Sequence, residues 1–189
     1  MKHLFVTIEG IDGAGKSTVV RMLATRLGAV CIKTPDERFS TERQLVERQG
    51  SAEEKYAFYL RSLEAQQVEI NALLETGPVI CDRYVHSTIA YQWPEAEPLP
   101  ADIAECFPSL AWPDRSILLT VSSEVSRERI ARREYQTGVV SLTDHNLTLL
   151  DKARRRFLAM QDLVQIDTND RTPEQVCDLI FSGLCNEPA

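Results

Sequence analysis

No run in the 189 residues approaches the ~20 apolar residues that a membrane-crossing helix needs. The opening MKHLFVTIEG is interrupted at Glu9, too soon for a signal peptide. Positive charge is in deficit, 21 Lys and Arg against 28 Asp and Glu for a formal −7, which argues against a surface built to neutralise nucleic-acid phosphates. The five cysteines (Cys31, Cys81, Cys106, Cys177, Cys185) form no C-x-x-C pair and sit mostly among apolar neighbours. They read as reduced core thiols in a cytoplasmic protein, with no cysteine-held metal. Internal repeats and low-complexity tails are absent as well.

What is present is an alternation. Of the apolar, β-branched runs at 3–9, 29–33, 78–82, 116–121 and 163–167, several lack polar alternation, as strands buried on both faces of a parallel sheet do. Helices are expected at 16–27, 52–75, 123–134, 147–161 and 173–184, where apolar positions such as Leu60, Leu63, Ile70 and Leu74 return about once per turn. The order predicts an α/β fold, a doubly wound parallel five-stranded sheet flanked by helices, in one domain over 1–189. Prolines gather in WPEAEPLP (93–100) and FPSLAWP (107–113), marking irregular connections rather than a linker. The stretch 132–146, RREYQTGVVSLTDHN, mixes charge, glycine and turn formers and reads as a mobile lid.

Residues 10–17, GIDGAGKS, match G-x-x-x-x-G-K-[ST] between an apolar strand and an amphipathic helix. Such a loop keeps side chains away, so that backbone N–H groups converge on phosphate oxygens at a helix N-terminus. Gly10, Gly13, Ala14, Gly15, Lys16, Ser17 and Thr18 are therefore the candidates for binding ATP. Lys16 would reach the β and γ phosphates, Ser17 would ligate Mg²⁺, and Thr18 would face the α-phosphate. No guanine-reading N-K-x-D follows a later strand. The strand VICD instead ends in Asp82 and Arg83, at the edge where a doubly wound sheet binds ligands. Asp82 can hold hydrated Mg²⁺ or orient Arg83, and Arg83 can grip phosphoryl groups bidentately. A surface ion pair or a helix cap is the structural alternative.

FVTIEGIDGAGKST followed by DRYVHSTIAYQ resembles the thymidylate kinase family of P-loop nucleoside monophosphate kinases. The likeness extends more weakly through IKTPDERFS, FYLRSLEAQ, SRERIARRE and QIDTNDRTPEQV. It implies that Asp12 contacts the acceptor's 3′-hydroxyl, Arg83 its phosphates, Phe58 stacks on its base, Ser87 and Thr88 lie along the base edge, and Tyr91 crowds the 2′ position. Plain core packing is the alternative for Phe58 and Tyr91. Lys33 and Arg38 stand where acceptor-phosphate ligands would be, and Ser62 where an arginine would read the base. The family places an extra catalytic arginine either in the P-loop, here Gly13, or in the lid. Residues 127–134 carry four arginines against two glutamates, making Arg129, Arg132 and Arg133 the candidates, with a solvated helix face as the alternative. KARRR (152–156) reads as a solvated face or support, and His86 as structural.

The resemblance implies transfer of the ATP γ-phosphoryl to dTMP or a close pyrimidine deoxynucleotide, by a homodimer acting on small nucleotides with Mg²⁺, catalysed by Lys16, Asp82, Arg83 and the lid arginines. Asp36 and Glu37, near the end of the second strand, keep open a deoxynucleoside kinase with a carboxylate base. The altered lid keeps open a non-catalytic nucleotide-binding regulator.

Overall fold

The structure, a computed structural model, describes residues 3–138, 140 and 143–186. Among them five strands, β1 (Phe5–Glu9), β2 (Val30–Lys33), β3 (Val79–Asp82), β4 (Arg115–Thr120) and β5 (Val164–Asp167), form one sheet in the order β2-β3-β1-β4-β5. Every ladder is parallel. Among the described residues nine α-helices flank it: α1 (Lys16–Leu27), α2 (Ser40–Gln49), α3 (Ala52–Ala65), α4 (Gln67–Thr76), α5 (Val85–Gln92), α6 (Ile103–Cys106), α7 (Ser123–Thr137), α8 (Leu147–Ala159) and α9 (Pro173–Asn186). The expected doubly wound architecture is present. None of the described helices is long and apolar enough to cross a membrane.

Strand order reverses beside β1, which pairs with β3 on one side and β4 on the other. A crevice opens at the carboxyl ends of these strands. β1 and β3 are buried throughout, and Asp114 Oδ2 fixes the start of β1 by accepting from Phe5 N at 2.7 Å. The edge strands depart from expectation. β2 and β5 are largely open, with Val30 41% and Val164 52% exposed, because an edge strand is covered less completely than its central neighbours.

The single helix expected over 52–75 is two. α3 starts on a capping box of Ser51 and Glu54, then stops short of α4 at two buried glutamines. Gln66 accepts from Asp36 N and donates to Lys33 O, each at 3.2 Å, tying the loop after β2. Gln67 accepts from the Tyr84 hydroxyl at 3.1 Å and from Ala111 N at 2.7 Å. Helices α2, α5 and α6 were not expected. α5 is buried from Val85 to Tyr91 and α2 buries no residue, so neither carries an apolar stripe. Cys81 and Cys177 are buried, whereas Cys31, Cys106 and Cys185 are exposed, against the core-thiol expectation; all five are free.

Candidate active site

β1 ends at Glu9 and the chain turns through residues 10–15 into α1. Two glycines there are required by contact. A Cβ on Gly10 (φ 139°) would lie 2.6 Å from Leu119 O of β4, and one on Gly13 (φ 80°) 2.6 Å from Ser126 O of α7. Ala14 is buried, and Gly15 caps α1 in the left-handed region, so the loop's backbone leads into a helix N-terminus with its partial positive charge. Lys16 is buried and donates to Ile11 O at 2.8 Å. Burial, then the neighbouring Arg83 cation, pushes its pKa down to about 8, against the pull of Asp12, Asp82 and Glu9. Ser17 and Thr18 are exposed on the first turn of α1. Ser17 Oγ donates to Asp82 Oδ2 at 2.6 Å, while Asp82 Oδ1 is buried without a hydrogen-bond partner.

Arg83, just past β3, has φ 70°, the one positive φ outside glycine among the described residues. A left-handed residue with a side chain costs roughly 1 kcal/mol. Here it is held from two sides. Its N–H donates to Ile8 O at 3.1 Å, and its carbonyl accepts from Thr34 Oγ1 at 2.8 Å and Cys81 Sγ at 2.9 Å. The turn brings the guanidinium to the loop, with Nη1 3.1 Å from Gly10 O and 3.4 Å from Ser87 Oγ, and Nη2 2.5 Å from Asp12 Oδ1. Burial opposes both charges of this pair. The mutual attraction outweighs it and keeps Arg83 firmly protonated; with help from Lys16 it also holds Asp12 well below the usual carboxylate range. Thr143 completes Asp12 by donating to Oδ2, and Ser87 donates to Glu9 Oε2 at 2.5 Å.

The Gly-rich loop before α1 and the strand-end Arg83 thus meet beside a cleft. Residues 8–180 match the family model for thymidylate kinase. The chain belongs to the thymidylate kinase family. The probable thymidylate kinase of Archaeoglobus fulgidus is 34% identical over 196 aligned positions, covering 96% of each chain. That of Methanococcus maripaludis strain C6 is 26% identical, covering 97% of this chain and 96% of its own. A solved thymidylate kinase from Candida albicans, reported with the origin of its broad substrate specificity and a novel structural element, superposes with a TM-score of 0.76 at 21% identity. That superposition covers 97% of this chain and 91% of the other, a likeness of fold.

Of the acceptor residues expected for this family, Arg83, Ser87, Thr88 and Tyr91 line one cleft. Tyr91 lies under the Arg83 guanidinium, 5.2 Å from ring centroid to Cζ, and its hydroxyl is buried without a partner. Asp12 stands behind that wall on the Arg83 guanidinium, and three other expectations stand elsewhere. Phe58 is 2% exposed and packs edge-on against Phe39 and Tyr59 with centroids 6.4 and 5.2 Å away; it is Tyr59 that lines the cleft. One step along a helix turns a side chain by about 100°, so spacing alone misjudged which aromatic faces in. Lys33 is exposed on the β2 edge, and Arg38 is exposed and tied to Asp36 at 3.3 Å and Glu69 at 2.9 Å; neither lines the cleft. Arg43 and Glu47 line it instead, from α2, the helix whose periodicity gave no warning.

The three arginines expected to serve a lid part company. Arg129 lies across the phosphate loop, with Nη1 3.0 Å from Thr168 Oγ1 and 3.4 Å from Gly13 O, and Nη2 2.5 Å from Thr168 O. Arg133 pairs with buried Asp144. Arg132 is exposed and makes no hydrogen bond or ion pair among the described residues. Within the expected lid at 132–146, residues 139, 141 and 142 lie outside the described residues. In KARRR, Arg154 and Arg156 donate to Val121 O at 3.3 Å and Ala90 O at 3.4 Å, a supporting role.

Proposed function

We propose that the chain acts as one catalytic domain that transfers the γ-phosphoryl of ATP to dTMP. The observation that carries this is Arg83, turned by its left-handed backbone so that one guanidinium meets both Asp12 of the phosphate loop and the wall of the acceptor cleft. Lys16 and the loop N–H groups hold the donor's terminal phosphates, and Arg83 and Asp12 hold the acceptor's phosphate and 3′-hydroxyl. An ionised phosphate acceptor has no proton to lose, so positioning and charge neutralisation suffice without a general base. Asp36 and Glu37, which a deoxynucleoside kinase would need as base, do not line the cleft, and Asp36 is spent on Arg38.

Ser17 and Asp82 fit a magnesium ion. The hydroxyl already touches the carboxylate, whose second oxygen is buried and unpartnered. No cluster of three or more His, Cys, Asp or Glu able to hold a metal stands among the described residues, so phosphate oxygens and water would complete the shell. The ion would neutralise charge on the β and γ phosphates. With Arg129 and Arg133 engaged by protein groups, Arg132 is our candidate for the lid cation meeting the transferred phosphoryl, and 132–146 for the lid. A cytoplasmic location accords with five free cysteines, and a homodimer accords with exposed Leu45 and Val68 on α2 and α4.

The test is ADP release with Mg-ATP and a panel of nucleoside monophosphates plus thymidine. dTMP turns over well and thymidine does not; the reverse would assign the chain as a nucleoside kinase, and ATP binding without transfer to any acceptor a regulator. Arg83→Ala lowers kcat/KM for dTMP by about 3 kcal/mol, roughly a hundredfold.

A further inference from the structure

The acceptor cleft has a second wall, built by α2 and α3, whose polar groups the reaction does not use. Arg43 Nε donates to the Tyr59 hydroxyl at 3.1 Å, and that hydroxyl donates to Glu47 Oε1 at 2.5 Å. Glu47 is 7% exposed at its side chain, and its other oxygen is 3.8 Å from Lys55. A tyrosine hydroxyl has one proton, so giving it to Glu47 leaves its lone pairs to receive Arg43, and the chain of bonds has one direction. Arg43 is thereby held by a single nitrogen. The four N–H bonds on its two terminal nitrogens have no partner among the described residues, on a side chain that lines the cleft. Ser62, on the same wall, has given its proton to Tyr59 O at 2.7 Å.

We propose that Arg43 selects the acceptor's base by donating to a carbonyl at C4 of the pyrimidine, with Tyr59 and Glu47 as its positioning residues. This rests on the dTMP reading above. With the phosphate at Arg83 and the sugar beside Asp12, the base extends toward α2 and α3. C4 lies across the ring from the glycosidic nitrogen and so reaches farthest from the sugar. Thymine and uracil carry an acceptor there. Cytosine carries an amino donor, which would face a cation with nothing to accept it. A site that donates to a substrate group discriminates strongly against an analogue lacking the acceptor.

The experiment measures kcat/KM of the full chain for dTMP, dUMP and dCMP with saturating Mg-ATP, in wild type, Arg43→Met, Arg43→Lys and Tyr59→Phe, with the melting temperature of each. Arg43→Met keeps the side chain's length and removes its donors. It lowers kcat/KM for dTMP and dUMP about tenfold or more, chiefly through KM, and leaves dCMP within about twofold, so preference over cytosine collapses. Tyr59→Phe moves the ratio the same way by less, and Arg43→Lys restores part of it. A parallel fall for all three acceptors, or an unchanged ratio, overturns the assignment while leaving the dTMP reading intact. Should Arg43→Met melt far below wild type, the ratio in Arg43→Lys and Tyr59→Phe decides. A wild type that phosphorylates none of the three defeats the dTMP reading itself, and this inference with it.

Discussion

Lys16 holds its proton loosely before nucleotide arrives. With its pKa pushed down to about 8 in the free protein, it is only partly protonated in mildly alkaline solution. A triphosphate at the loop favours the ammonium form, so ATP binding under those conditions takes up a fraction of a proton, and affinity falls as pH rises. Calorimetry in buffers of different ionisation enthalpy reads the uptake directly. Lys16→Ala abolishes both the uptake and turnover while melting like wild type; uptake that persists in the variant would assign the proton elsewhere. Residue by residue, the sequence was most legible where chemistry demands a type at a fixed spacing, as in 10–17 and at Asp82–Arg83. It was least legible where a rotation decides. Phe58 and Tyr59 are equally able to stack on a base, and only the packing of Phe58 against Phe39 shows which one faces inward.

The break between α3 and α4 depends on side chains that look at home in any helix. Gln67 serves the Tyr84 hydroxyl and Ala111 N at once. Gln67→Ala strands Ala111 N, leaves the Tyr84 hydroxyl only Ala111 O at 3.0 Å, and lowers unfolding free energy by about 2 kcal/mol in denaturant titration, whereas an exposed change such as Gln49→Ala moves it by under ~0.5 kcal/mol. Glutamine is a good helix former, so propensity carried the expected helix straight through 66 and 67. Conversely α5 was passed over because a helix buried on nearly all sides has no polar face to generate a period. The strands at 5–9 and 79–82 were plain because central parallel strands read as unbroken apolar runs.

At the scale of the whole molecule, one buried imidazole joins three distant parts of the chain. His86 of α5 has Nε2 2.8 Å from Asp162, in the turn before β5, and Nδ1 3.8 Å from Glu9 at the tip of β1. Burial opposes its charge, but the contacts with Asp162 and Glu9 outweigh burial and raise the pKa to about 9 from 6.5. A raised pKa stabilises the fold fully below pH 6.5 and loses that contribution as pH climbs through 9, up to about 3 kcal/mol. Melting temperature therefore declines across that window, and the decline flattens in His86→Gln; identical pH profiles for the two proteins would remove His86 from the account. The parallel sheet and its flanking helices followed from the βαβα alternation, but nothing in spacing foretold that Asp162 and Glu9 would meet one histidine. The contact of Gly13 with α7 reaches further still. Ser126 fills the volume that any side chain at 13 would need, with its carbonyl oxygen at 2.6 Å and its Oγ at 2.9 Å from a Cβ there. Descendants of this chain cannot gain a side chain at position 13 by a single codon change, because the seat is occupied. Helix α7 would have to be lifted first, at the cost of its packing against the loop.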